Sequence, residues 1–230
     1  WSHITSWKHQ MEANRADGHL IDCIIKLGGS SLTDKSQKET FNEALFEPTL
    51  EAIFQACYYY QERTGAPLRV IVIHGAGSFG HPHAKAGKVH LGIPDETATE
   101  SVRSGFCDTR VGLHKLSTRV LDGLVSRSVP AVLTPVFPEW KTRTVYVNGE
   151  KKEQEVVKHS CETLRELVDL GYVPVLHGDC VLDVHQGTAI LSGDLILDCI
   201  ATALRPKYVV FVSDVPGVFD RPPFLQDKSL

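Results

Sequence analysis

The 230-residue sequence has no apolar run near the roughly 18 to 20 residues of a membrane span, and its first residues hold no hydrophobic signal-peptide core. It also lacks a CxxC pair: its six cysteines are scattered, which argues against a zinc site or a disulfide framework. Positive charge is not in excess, because the formal net charge is -4 and acidic and basic residues are interspersed. These absences predict a cytoplasmic protein with reduced cysteines, no metal-ligating side chains, no membrane contact and no nucleic-acid partner.

What the sequence does contain is an alternation of strand and helix patterns. With 42% apolar residues, a chain of this length can form one large α/β domain or two tightly packed halves. Residues 1–19 have no hydrophobic period and are predicted to form a peripheral arm. From residue 20 onward, apolar strands alternate with segments of helical period. This order predicts an open, mostly parallel sheet between layers of helices.

A glycine-rich segment follows the most apolar of these strands. Residues 70–73 (VIVI) run directly into residues 74–81 (HGAGSFGH), with a histidine at each end of the segment. Ligands of open α/β sheets bind at the carboxyl ends of strands, and glycines there let backbone N–H groups approach an anion. We therefore predict a phosphate-binding loop bracketed by His74 and His81. The alternative is a turn that only reverses the chain, since glycine-rich turns commonly do no more.

A second strand also ends in glycines. Residues 20–27 (LIDCIIKL) carry Lys26 near their end, and Gly28-Gly29-Ser30-Ser31 follows. A lysine on a buried strand is costly unless its ammonium reaches an anion, so Lys26 points to a ligand or a buried carboxylate. It could also extend its ammonium from the strand end into water. A helical pattern over residues 36–63 joins the two strands, so right-handed crossover places both glycine segments at one sheet edge.

The remaining pattern continues the alternation. Residues 85–97 are polar and contain glycine, so a flexible lid or a connection is expected there. The other expected elements are helix Glu100–Arg127, strand Ala131–Val136, hairpin Arg143–Val157, helix Ser160–Leu170, strand Tyr172–Leu176, hairpin Cys180–Leu191, helix Leu195–Leu204 and an interior strand Lys207–Val212. Most apolar side chains of helix 100–127 are expected in the core, but some, with Phe106 as the candidate, could line a pocket for an apolar substrate tail. Asp194 is either a helix cap or a partner for lysines.

Four segments together resemble the amino acid kinase superfamily, in order and at similar separations: Lys26-Leu27-Gly28-Gly29-Ser30, Gly75 to Gly80, Ser192-Gly193-Asp194 and residues 213–218 (SDVPGV). Within it, HGAGSFGH resembles the isopentenyl phosphate kinase family. The resemblance implies an αβα sandwich, a homodimer, and ATP-dependent, Mg²⁺-assisted phosphorylation of isopentenyl phosphate to isopentenyl diphosphate. A fosfomycin-type kinase, another superfamily member and a non-catalytic member remain as alternatives.

The resemblance also implies roles for matching positions. Lys26 would contact the transferring phosphoryl group, Asp194 would organise the lysines, and His81 would hydrogen-bond the acceptor phosphate. Lys35 would engage the ATP phosphates. The implied acceptor-binding residues are Gly75, Ala76, Gly77, Ser78, Gly80, His81 and Gly178, with Phe106 proposed above; the implied nucleotide-binding residues are Lys26, Gly28, Gly29, Ser30, Lys35, Ser213, Asp214 and Gly217.

The resemblance further divides the chain. Residues 20–191 correspond to the half that binds the phosphate acceptor, and residues 192–230 to the beginning of the nucleotide-binding half. Members of the superfamily continue with another glycine-rich segment, a second lysine and several strands. From this comparison the nucleotide-binding half is expected to be incomplete in the 230 residues.

Overall fold

A computed structural model describes residues 18–34, 36–93, 99–147 and 150–213. Its centre is a five-stranded sheet in the order β3-β6-β2-β1-β9, in which every neighbouring pair is parallel. The strands are β1 (Ile21–Leu27), β2 (Val70–His74), β3 (Ala131–Leu133), β6 (Val173–His177) and β9 (Pro206–Val212). The carboxyl ends of four adjacent strands, β6, β2, β1 and β9, therefore meet at one edge.

Six helices, together with a 3₁₀ turn at Val89–Leu91, accompany the strands in the described residues: α1 (Gly29–Leu32), α2 (Glu43–Thr64), α3 (Gly77–Ala86), α4 (Thr99–Val125), α5 (Cys161–Asp169) and α6 (Gly193–Leu204). Helices α2 and α4 supply side chains to one core cluster, around Ile25 and Val72, and α5 and α6 supply another, around Ile24 and Ile73. Strand residues alternate between the two clusters because successive side chains point to opposite faces. The predicted αβα layering is confirmed.

A second, mixed sheet has the order β5-β4-β7-β8. Its strands are β4 (Lys141–Val147), β5 (Glu150–Lys158), β7 (Asp179–Asp183) and β8 (Gly187–Leu191). Both expected hairpins are confirmed, since β4 pairs antiparallel with β5 and β7 with β8. The hairpin β7–β8 begins directly after β6, so it stands at the edge where the strand ends of the main sheet meet.

The glycine-rich segment after β2 is not the loop that the sequence predicted. Only Gly75 and Ala76 separate the strand from α3, so His81 lies on a helix. Pro82 removes one helical N–H, and the Ser78 carbonyl that this group would have met instead accepts a 3.1 Å hydrogen bond from the Glu39 amide. A neighbouring segment thus provides the hydrogen bond that the Ser78 carbonyl loses because of Pro82.

Of the two alternatives for residues 85–97, a flexible lid or a connection, the described residues favour a connection, because Lys85 and Ala86 end α3 and Val89–Leu91 form the 3₁₀ turn; residues 94–98 lie outside the described residues. Strand β9 is apolar enough for an interior strand of the sheet, as its sequence indicates. Among the described residues it is the edge strand next to β1, and Tyr208 and Phe211 are exposed. No helix in the described part of the chain is both long and apolar enough to cross a membrane.

Candidate active site

A cavity of about 210 Å³ lies where the four strand ends meet. Several residues singled out in the sequence line it: Lys26, Gly28, Gly29, Gly75, Ala76, Gly80, His81, Gly178 and Asp194. They lie at the end of β1, in the turns that follow β1, β2 and β6, and in the first two turns of helices α1, α3 and α6. Parallel strands explain the convergence, because their carboxyl ends share an edge and each is followed by a turn into a helix.

Lys26 is the cation of this cavity. Lys26 is two residues after Ile24 in β1, so both side chains point to the same face of the sheet, the face that α5 and α6 cover. Only 9% of Lys26 is exposed, and its Nζ forms an ion pair with the Asp194 carboxylate in the first turn of α6. The helix is capped by Ser192, whose side chain accepts a hydrogen bond from the Leu195 amide. Since Ser192 caps α6, the Asp194 carboxylate is left to hold the lysine ammonium at the cavity.

Two backbone amides beside Lys26 are placed to hold an anion. Among the described residues, no hydrogen bond engages the N–H of Gly29, which begins α1, or that of Gly77, which begins α3. Unpaired N–H groups at a helix start attract anions. The Gly28 amide differs, because it donates a 2.8 Å hydrogen bond to the Val212 carbonyl. Gly28 lines the cavity, but its amide is therefore not free to hold a phosphate oxygen.

His81 supplies an imidazole at the same cavity. It lies on the second turn of α3 and is exposed at the cavity wall, one turn after the amides that begin the helix. Lysine, imidazole and helix-start amides can together neutralise a group with several negative charges. The arrangement therefore fits a phosphorylated ligand.

Comparison with known proteins agrees with this geometry. The model of the amino acid kinase family matches residues 23–229. The chain belongs to the amino acid kinase family. An isopentenyl phosphate kinase of Arabidopsis thaliana is 31% identical to it, over 93% of this chain and 70% of that protein. One from Methanocaldococcus jannaschii is 31% identical over 85% and 70%, respectively. A crystal structure of isopentenyl phosphate kinase superposes with a TM-score of 0.74 and 28% identity, covering 90% of this chain and 77% of that one.

The backbones of the two glycine segments of this chain are in direct contact. A Cβ at Gly75 would lie 2.7 Å from the Gly29 nitrogen, and one at Gly29 would lie 2.7 Å from the Gly77 nitrogen. Real Cβ atoms do not approach backbone so closely, so only glycine fits without a shift of main chain. The amides proposed to hold the anion are thus positioned by this backbone contact.

We expect Gly75→Ala to lower activity at least ~10-fold, because a displaced Gly29 amide no longer faces the anion. The melting temperature should also fall. Gly193→Ala is the matched control for stability, since its Cβ would make only ordinary contacts, the nearest at 3.4 Å to Lys26 Cε. Thermal melts and steady-state rates of both variants test this; a Gly75→Ala protein with unchanged rate and melting temperature would show that the contact is not required.

The cavity wall contains residues that the sequence analysis missed. Ala84, Thr109, Leu113, Cys180 and Ile190 line it. Thr109 and Leu113 are one turn apart on α4, and Cys180 and Ile190 are opposite each other in the β7–β8 hairpin. The helical spacing of the first pair and the hairpin register of the second can be read from the sequence. That all four residues line one cavity depends on how α4 packs against β7, which the sequence does not reveal. Apart from the Thr109 hydroxyl, this wall offers apolar contacts.

Phe106 is not part of that wall. It lies one turn before Thr109 on α4, its ring meets Phe137 edge-on at 5.6 Å, and it borders a separate apolar pocket with Val102 and Cys107. The expectation that helix 100–127 contributes to the cavity agrees with the positions of Thr109 and Leu113, whereas Phe106 does not reach it.

Several other expected residues lie near the cavity without lining it. The Ser78 amide donates to Thr33 Oγ1 at 2.9 Å and its hydroxyl donates to the Thr40 carbonyl at 3.1 Å, so Ser78 fastens α3 to the preceding segment. Gly77 and Ser30 are in the first turns of α3 and α1, and Ser213 follows β9 beside Gly28. Lys35, Asp214 and Gly217 are outside the described residues.

Two buried histidines stack beneath the cavity floor. His74 and His177 end the adjacent strands β2 and β6, and their rings lie 5.2 Å apart. In each, Nδ1 is 3.0 Å from the carbonyl of the following glycine, and His74 Nε2 is 2.9 Å from Ser117 Oγ. Burial lowers the pKa of His74 from its ordinary 6.5 to about 3, with a smaller contribution from His177, and burial also lowers the pKa of His177. Both rings are therefore neutral at physiological pH.

Because these histidines are buried and neutral, we predict that the free energy of unfolding decreases in mild acid. Below pH 6.5 the unfolded chain protonates His74 while the folded chain does not, so the unfolded state binds more protons and the free energy of unfolding falls as pH decreases towards 3. One such histidine contributes a slope of about 1.4 kcal/mol per pH unit. Urea unfolding of the wild type and of His74→Gln, at several pH values between 7.5 and 5, should give a shallower slope for the variant; equal slopes would contradict the prediction.

Next to His177, a buried carboxylate is paired with an arginine. Asp179 is almost fully buried and lines the cavity, and Arg110 Nε on α4 lies 3.2 Å from its Oδ1. The same Asp179 oxygen accepts a 2.8 Å hydrogen bond from the Cys180 amide, and the Arg110 guanidinium lies over the Phe137 ring. A buried carboxylate with these partners stays in place, so Asp179 fixes the hairpin start against α4.

Proposed function

We propose that this chain transfers the γ-phosphoryl group of ATP to isopentenyl phosphate, forming isopentenyl diphosphate and ADP. The observation that carries the proposal is the cavity in which Lys26, Gly29 and His81 lie opposite an apolar wall, with the unpaired helix-start amide of Gly77 nearby. The isopentenyl phosphate kinases to which the chain is similar support the same acceptor. A phosphate with a short apolar tail matches both the charged and the apolar side of this cavity.

The reaction requires little acid–base chemistry from the protein. A phosphate monoester has a second pKa of about 6, so the acceptor is mostly a dianion at neutral pH and its oxygen attacks the γ-phosphorus without a general base. Phosphoryl transfer is then governed by alignment and by neutralisation of charge on the moving group. Lys26 would neutralise that charge, Asp194 would hold the lysine in place, and His81 would orient the acceptor phosphate.

The nucleotide would approach from the β1–β9 side. Ser213 follows β9 and lies beside Gly28, which lines the cavity. We propose that Gly29, Ser30, Ser213 and the segment after it contact ATP phosphates, with Lys35, Asp214 and Gly217 as further candidates. In this scheme the acceptor half spans residues 20–191 and the nucleotide half begins at residue 192.

Among the described residues, those that line the cavity do not form a complete set of Mg²⁺ ligands. The cavity has two carboxylates in this part of the chain, Asp179 and Asp194, and each pairs with a cationic side chain. Magnesium commonly binds through substrate phosphates with few protein ligands. We therefore propose that Mg²⁺ enters with ATP, where it supplies further charge neutralisation. A cytoplasmic location and a homodimer complete the proposal; sedimentation of the purified protein tests the dimer.

An acceptor comparison tests the proposed function. ADP release should be measured with isopentenyl phosphate, dimethylallyl phosphate, fosfomycin and N-acetylglutamate at matched concentrations. We expect the two prenyl monophosphates to give the highest kcat/KM, because they fit both the phosphate site and the apolar wall. Preference for fosfomycin would favour the fosfomycin-type alternative, preference for N-acetylglutamate would contradict a phosphate acceptor, and absence of ATP turnover with every acceptor would favour a non-catalytic member.

A further inference from the structure

A group of metal-ligating side chains lies outside the candidate active site. His159, Cys161 and Cys199 each offer one ligand atom, and the three atoms lie within 4.8 Å of one another. Sequence spacing does not predict this group, because Cys199 is far from the other two residues along the chain and none of the cysteines belongs to a CxxC pair. The fold alone brings the three residues together.

The group is assembled where three elements meet. His159 follows the last residue of β5, Cys161 begins α5, and Cys199 lies in the middle of α6. Cys161 is buried, Cys199 is half-buried and His159 is exposed, so the group has one side open to solvent. Its position is held from below by buried Trp140, whose Nε1 donates a 2.9 Å hydrogen bond to Ser160 Oγ and whose ring lies against His159.

One contact already orients the histidine towards the cysteine. The Cys161 backbone N–H donates a 3.4 Å hydrogen bond to His159 Nδ1, so the imidazole ring lies beside the start of α5. An ion bound through Nδ1 would replace this hydrogen bond.

We propose that His159, Cys161 and Cys199 bind a thiolate-preferring metal ion, with Zn²⁺ as the ion to test first. Sulfur and imidazole ligands suit Zn²⁺ and exclude Mg²⁺ and Ca²⁺, which take oxygen ligands. Tetrahedral zinc with Zn–S bonds of about 2.3 Å holds its sulfurs about 3.8 Å apart, which is compatible with three ligand atoms that all lie within 4.8 Å of one another. On binding, the two thiols release their protons, two Zn–S bonds and one Zn–N bond form, and a water fills the fourth position.

A bound ion would link α5 and α6 through its ligands. Asp194, the partner of Lys26, lies in the first turn of α6, and Cys199 lies further along the same helix. An ion bound at Cys199 would join this helix to α5 and to the end of β5. Because the metal binds the folded state better than the unfolded chain, we expect the melting temperature to rise when metal is added.

The test is metal titration of the reduced, chelator-treated full-length protein with Zn²⁺ and, as a spectroscopic probe, Co²⁺. We expect one equivalent of tightly bound metal and a thiolate-to-cobalt charge-transfer absorption. Both signals, and the rise in melting temperature, should be lost in Cys199→Ser and reduced in His159→Ala. Cys57→Ser is the matched control, because Cys57 is also a half-buried helical cysteine but lies outside the group.

The variants distinguish metal binding at this group from unspecific binding of metal by any cysteine. Equal metal stoichiometry and cobalt absorption in wild type, Cys199→Ser and Cys57→Ser would overturn it, as would a reduced wild-type protein that binds no metal. If Cys199→Ser is unstable without metal, His159→Ala keeps the test decisive, since His159 is exposed and its removal leaves both cysteines in the core.

Discussion

Lys26→Ala is expected to lower turnover at least ~10²-fold, the effect typical of removing a positioned charge from a transition state. The buried ammonium is the only lysine among the described residues that lines the cavity, and its ion pair with Asp194 fixes its direction. Asp194→Asn should lower turnover to a similar extent, because an amide holds the ammonium less strongly. Steady-state kinetics with saturating ATP and isopentenyl phosphate measure both effects.

The matched control for this prediction is Lys158→Ala. Lys158 also lies at the end of a strand and also pairs with a carboxylate, that of Glu139, but it is exposed and remote from the cavity. Its turnover should stay within about twofold of wild type, as most surface substitutions have small effects. Near-normal turnover of Lys26→Ala, with circular dichroism like that of wild type, would mean that the lysine has a structural role only.

His81→Ala is expected to raise the KM for the phosphate acceptor about 10- to 100-fold, which corresponds to the loss of a hydrogen bond to a charged group. The KM for ATP should change little, because the proposed role of His81 is to bind the acceptor phosphate. His81→Gln should recover part of the loss, since its amide can donate to a phosphate oxygen. Measuring KM for each substrate separately distinguishes recognition of the acceptor from general damage.

His83→Ala provides the control on the same helix. Its Nε2 is 2.8 Å from the Glu39 carboxylate and it does not line the cavity, so the acceptor KM should be unchanged. If His81→Ala and His83→Ala raised the acceptor KM equally, the effect would come from disturbance of α3, and His81 would have no specific role.

The fold was largely predictable because burial leaves a simple trace in the sequence. Strand β2 is wholly buried, so its four consecutive β-branched residues identified it, and Gly171 and Gly187 marked chain reversals correctly. The glycine-rich segment was mispredicted for the opposite reason. Its glycines and Pro82 disfavour a helix, but Thr33 and Glu39, from another part of the chain, supply hydrogen bonds that stabilise α3.

The candidate site likewise contains residues that the sequence predicts and residues that depend on tertiary packing. Lys26, the glycines and Asp194 follow strand ends or begin helices, so parallel topology was enough to predict that they meet. The apolar wall depends on the packing of α4 against the β7–β8 hairpin, and here Phe106 was chosen one helical turn away from Thr109. The pairing of Cys161 with Cys199 depends on the contact between α5 and α6, which sequence spacing does not reveal.

The central claim is that the cavity places a phosphate acceptor in line with ATP. Phosphorus-31 NMR of the reaction of the full-length protein with ATP, Mg²⁺ and isopentenyl phosphate tests it most directly. We predict that the single monophosphate resonance is replaced by the two coupled resonances of a diphosphate ester, in step with the formation of ADP and far more slowly with Lys26→Ala. Release of ADP together with inorganic phosphate, with the monophosphate resonance unchanged, would contradict the account.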